Sequence, residues 1–142
     1  MKDPRAEAEA KAELAARLQP VLEDVGRRAE VADGIIDRDL YRILISTVWV
    51  NVVMDPEAAG LQETQLETLH DLLNQHITAV LGQDETLTSC FRYLNGKAGE
   101  RAMKQAQLTS NHRDLLLYFA SIILDPDGHR RWMDEIRTPP SR

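Results

Sequence analysis

The chain has 142 residues, a net charge of −6 and one cysteine. That is the size of one ordinary domain, large enough to bury a core without disulfides. A lone Cys90 excludes an intramolecular disulfide and suits a reducing compartment. The longest nearly apolar runs, 43–54 and 115–124, fall short of the about 20 residues that a bilayer span takes. The opening residues 1–16 alternate alanine with charge and lack the apolar stretch of a signal peptide, so a cytoplasmic location is expected.

Charge is spread unevenly. Residues 1–30 carry six basic and seven acidic side chains, and residues 31–90 carry only Arg38 and Arg42 against ten acids. Residues 91–142 carry nine basic against six acidic. An acidic middle repels nucleic acid and anionic membrane, and the basic third has no dense Lys/Arg cluster.

In chain order, the first predicted helix runs from 4 to about 30. Leu14, Leu18, Val21 and Val25 are spaced four, three, four, the seam of a helix–helix contact. Pro20 falls inside that seam and is expected to kink the helix or to start a new one, because it lacks a backbone donor. Before Leu14 the apolar face is alanine only, so residues 1–13 are expected to be solvated or to lie on a partner chain. Asp33-Gly34 predicts a turn and Asp37 an N-cap, opening a second helix that ends at Asp55-Pro56. This helix is apolar nearly all round. Leu40, Ile43, Leu44, Thr47 and Asn51 form one stripe, and Tyr41, Ile45, Val48, Trp49 and Val52 another. Val48 onward also permits a strand, but nothing else in the chain reads as a strand to pair with it.

A third helix is expected over 57–81, with Leu66, Leu69, Leu72, Leu73, Ile77, Val80 and Leu81 on one face and Gly82 as its stop. A fourth spans 84–95, burying Leu87, Cys90, Phe91 and Leu94. The stretch 97–107, carried by Ala98, Ala102, Met103 and Ala106, reads as a surface helix or a connector. A helix capped at 109–111 runs to Leu124 and is again apolar on every face. Asp125-Pro126-Asp127-Gly128 reads as a turn. A last short helix with Trp132, Met133 and Ile136 precedes a frayed tail at 138–142. The expected fold is all-α, a single domain over 1–142, with about five to six helices in orthogonal or bundle-like packing around two apolar central helices that touch each other.

No residue pattern predicts catalysis, a metal or a cofactor. His70 and His76 are six apart and face away from each other on a helix. Glu67 and His70 form one Glu-x-x-His unit, whereas di-metal bundles use that unit twice with two further glutamates. From Asp125 a calcium loop fails in register, with Arg130 where glycine is needed and Ile136 where glutamate is needed. Cys90 lies on an apolar face and reads as a small hydrophobe. Residues 95–99 lack the glycine spacing of a phosphate loop. His129-Arg130-Arg131-Trp132 is a small basic-aromatic cluster that reads as a helix with Trp132 packed inward.

Two helices apolar on every face are hard to hide in so small a domain, so one is expected to present a stripe to a partner. Tyr41, Ile45, Val48, Trp49 and Val52 are the expected interface, with Trp49 as anchor. The expected function is a small cytoplasmic regulator, not an enzyme. It would bind another protein, as an anti-activator or inhibitor that sequesters its target, and form a homodimer or a heteromeric complex. The alternatives are an acidic secretion chaperone or adaptor, a helical-bundle metal binder or enzyme, and a DNA-binding regulator.

Overall fold

The computed structural model describes residues 3–58, 60–62, 65–128 and 130–131. Its first helix, α1 (Pro4–Ala29), starts where the Asp3 carboxylate accepts the Arg5 amide at 3.0 Å and Pro4 needs no donor. Arg27 and Arg28 in its last turn suit the negative end of the helix dipole. The helix runs on through Pro20 without starting anew. Pro20 and Ala16 are both exposed, so the carbonyl that loses its intrahelical donor faces water. Leu14, Leu18, Val25 and Ala29 are buried, whereas residues 4–13 are all exposed.

A short antiparallel pair, β1 (Glu30–Ala32) and β2 (Ile35–Ile36), follows, where no pairing strand was expected. Gly34, at φ +73°, makes the turn, and its amide donates to Glu30 Oε1 at 2.8 Å. Asp37 then caps α2 (Arg38–Met54), its carboxylate accepting the Asp39 and Leu40 amides, both at 3.1 Å. The segment 48–53 is therefore helix, not strand.

The third helix is shorter than its pattern suggests. A loop occupies the segment after Asp55, and α3 spans Leu66–Leu81. Gly60 at φ +74°, buried Leu61 and a 2.7 Å bond from Arg17 Nη1 to the Gly60 carbonyl hold that loop against α1. In α3 Leu69, Leu73, Ile77 and Leu81 recur every fourth residue and are buried, and Gly82 at φ +124° stops it. α4 (Leu87–Leu94) starts three residues later than expected. Thr86 and Ser89 form a capping box there. Leu87, Cys90, Phe91 and Leu94 have no exposed area.

α5 (Lys97–Gln105) is a true helix pressed onto the end of α4. A Cβ on Gly99 would lie 2.2 Å from the Tyr93 carbonyl oxygen and 2.4 Å from Leu94 Cα, so only glycine permits this crossing. α6 (Ser110–Leu124) is capped by Thr109, which accepts the His112 amide at 3.1 Å. Asp125 ends α6. Its carboxylate then accepts the Gly128 amide at 3.0 Å, so 126–128 begins a new helical turn rather than a simple reversal. The expected Trp132 helix and the 138–142 tail lie outside the described residues.

The fold is all-α, apart from the hairpin. α2 touches each of α1, α3, α4, α5 and α6. The two apolar helices α2 and α6 do meet, but most of the cover on α6 comes from α4. Among the described residues no helix is long and apolar enough to cross a membrane.

Two glycines test this packing. Gly99→Ala should lower stability by about 2 kcal/mol or more, since backbone atoms must move to admit the methyl group. Gly26→Ala, with nothing within 4 Å of the new Cβ in the last turn of α1, should raise it by about 0.5–1 kcal/mol. Urea unfolding of both variants checks the pair. Deleting residues 2–12 should leave the melting temperature of a monomer nearly unchanged, because that stretch of α1 is exposed. A large drop that does not depend on protein concentration would contradict this.

Candidate functional site

α2 carries no charged side chain between Arg42 and Asp55. Its burial therefore turns on which stripe faces inward. Tyr41 and Ile45 have no exposed area and Val52 is buried at 9%. Val48 and Trp49 are half-buried. Three of the five residues expected at a partner interface thus belong to this chain's own core. The outward side of α2 is the other stripe: Leu40, Leu44 and Thr47 are half-buried, Asn51 is exposed and Met54 is 59% exposed. Of the stripe expected to meet the core, only Ile43 is buried.

Two polar contacts explain the inversion. The Tyr41 hydroxyl lies 2.5 Å from Nδ1 of His76 on α3, with the two rings stacked at 24°. A buried hydroxyl that finds a partner no longer needs water. One residue on, the Arg42 side chain is 12% exposed. Its guanidinium donates to Asp39 at 3.1 Å and to Glu85 at 3.4 Å, and it stacks 4.5 Å above the Tyr93 ring. Glu85 in turn accepts the Ser89 hydroxyl at 2.8 Å. The cation is thereby paired, hydrogen-bonded and covered by an aromatic face, the conditions under which a charge can be buried. Burial, with Asp39 alongside, pushes the Tyr93 phenol up to about 12. Trp49 meets the edge of the His70 ring at a centroid distance of 5.3 Å.

Burial pushes the Cys90 thiol up to about 12 despite the nearby Arg42, and a protonated thiol is a poor nucleophile. His70 is engaged with Asn74 at 3.3 Å and with Trp49, while Glu67 is exposed. Among the described residues no group of three or more His, Cys, Asp or Glu is placed to hold a metal ion. His129 and Trp132 lie outside the described residues.

What remains is a surface. Beside the outward stripe of α2, Thr47 Oγ1 donates to the Ile43 carbonyl at 2.8 Å and lies 3.1 Å from His112 Nε2, which fastens α2 to the start of α6. α6 has no charged residue between Asp114 and Asp125. Leu115, Tyr118 and Ile122, spaced three and four, share its outer side. Leu115 and Ile122 are half-buried and Tyr118 is 40% exposed. Sequence patterning marked both helices as apolar on all faces but missed α6 as a contributor to a surface, because the residue that joins it to α2, His112, carries no local signal.

No family model, curated protein or solved structure matches the chain. Its class is therefore defined by its own fold and surface: an all-α chain with an uncharged face on two helices.

The Arg42 cluster yields a direct test. Arg42→Ala should cost about 2–3 kcal/mol, between the loss expected for a broken buried pair and that for a surface pair. It strands Glu85 and uncovers Tyr93. Thermal and urea unfolding check it, and a loss below about 0.5 kcal/mol would mean that the cluster is peripheral to α2 burial.

Proposed function

We propose that this protein is a small cytoplasmic regulator that works by binding another protein, as an anti-activator or inhibitor that sequesters its target. One observation carries the reading. α2 and α6 reach solvent through Leu44, Val48, Asn51, Met54, Leu115, Tyr118 and Ile122, yet neither helix has a charged side chain over that length. A solvated helix face normally carries charge, and an uncharged, largely apolar one usually marks a contact. The same reading assigns no catalysis, cofactor or metal to the chain. Its acidic middle argues against nucleic acid as the partner. The lone cysteine, buried as a protonated thiol, suits a reducing compartment.

The partner is taken to be a second polypeptide that lays an apolar helix across this face. Self-association into a homodimer is the first form to test. The informative variant is Asn51→Glu with Met54→Glu, because both positions are exposed and their replacement should leave stability within about 0.5 kcal/mol. Trp49→Ala with Val52→Asp is not informative, since it would place a carboxylate at a buried position. Sedimentation and affinity purification from the native host, on wild type and variant, read the result. The expected outcome is retained helicity with self-association, or with capture of one stoichiometric partner, weakened roughly tenfold or more. Unchanged association in a folded variant would move the interface off α2.

A further inference from the structure

We propose that His76 is a proton-operated latch: neutral, it holds α2 by accepting the Tyr41 hydroxyl, and protonated, it shifts its hold to Glu23 on α1. The neutral arrangement follows from the Tyr41 contact. Tyr41 has no exposed area, and burial raises its phenol so far that it keeps its proton. With the imidazole proton on Nε2, the hydroxyl donates to His76 Nδ1, 2.5 Å away, and this tautomer is the neutral arm of the latch.

The opposite side of His76 opens differently. Half-buried, it faces a cavity of about 340 Å³ whose other walls are Ala15, Gln19, Leu22 and Glu23 of α1. Glu23 is exposed, and Gln19 Nε2 donates to its carboxylate at 3.3 Å. Tyr41 on α2 thus meets His76 directly, and Glu23 on α1 shares the cavity it faces. A second proton on the ring, taken from solvent, turns Nδ1 from acceptor to donor. Nδ1–H can then donate to the Tyr41 oxygen, but the Tyr41 proton has to find another acceptor inside the core, which costs free energy. Among the residues that line the cavity, Glu23 on α1 carries the carboxylate that can pair with the imidazolium. Acid therefore weakens the α2–α3 contact and creates an α1–α3 one.

The sign of the pH effect is set by the folded state. Burial holds His76 below its ordinary value of 6.5. Below that pH the unfolded chain binds more protons than the folded one, so stability falls as the pH drops and stops falling only once the folded imidazole is also protonated.

Titrating the assigned His76 ring resonances by NMR in the whole folded protein tests the latch. Tyr41→Phe removes the donor that requires a neutral Nδ1 and should move the His76 midpoint up. Glu23→Gln, at an exposed position, should move it down by roughly half a pH unit, the size that an exposed ion pair produces. His76→Gln should flatten the loss of melting temperature between pH 7 and pH 5 that the wild type shows. An unmoved midpoint in Glu23→Gln overturns the transfer to α1. An unmoved or lowered midpoint in Tyr41→Phe overturns the neutral arm. Both readings stand even if His76→Gln does not fold.

Discussion

The enclosure of α2 is the constraint on which the other contacts depend. A helix with no charge from residue 43 to residue 54 cannot lie open to water along most of its surface. Its burial also calls for partners for most of the polar groups along it. The Tyr41 hydroxyl meets His76 from α3, and the two terminal nitrogens of Arg42 meet Asp39 and Glu85 beneath the Tyr93 face, while among the described residues Arg42 Nε and the Ser46 hydroxyl are buried without a hydrogen-bond partner. Each solution draws a different segment against α2. These two draw α3 and α4 in, and α1, α5 and α6 also touch α2.

The second layer depends on close approach. α4 fills the space beside α2 with Leu87, Cys90, Phe91 and Leu94, all fully buried. α5 can press onto the end of α4 only because Gly99 has no Cβ. α6 then closes over α4 and meets α2 through Thr47 and His112. The same stack of contacts leaves the first ten residues of α1 outside it, with alanines too small to bury much area.

The functional reading is a consequence of how α2 is rotated. With Tyr41 and Ile45 turned inward, the helix shows water Leu44, Thr47, Asn51 and Met54 instead, and on α6 Leu115, Tyr118 and Ile122 reach solvent as well. A face of that composition has little to gain from solvent and area to gain from a partner. The Tyr41–His76 contact thus has two roles: it orients α2, and it makes that orientation sensitive to a proton.

Much of the local structure was legible in the residues. Asp37 capping α2, Gly82 stopping α3, the Asp33-Gly34 reversal and the buried side of α4 all rest on interactions within a few positions of chain, and each took its expected form. The misses have local causes too. Three residues of strand are too short for an alternating pattern, and the loop before α3 is set by Gly60 and by Arg17 from 43 positions away. The rotation of α2 was only faintly legible in the sequence, for a different reason. Its two stripes differ only by Thr47 and Asn51, so periodicity offers a weak preference between them, and the more polar stripe is the one that faces outward. The choice was made by a hydroxyl and an imidazole 35 residues apart, and by a guanidinium and a carboxylate 43 apart. Helix content and helix ends are matters of short-range chemistry. Which face of the central helix meets water is decided only when distant polar groups find each other in the folded core.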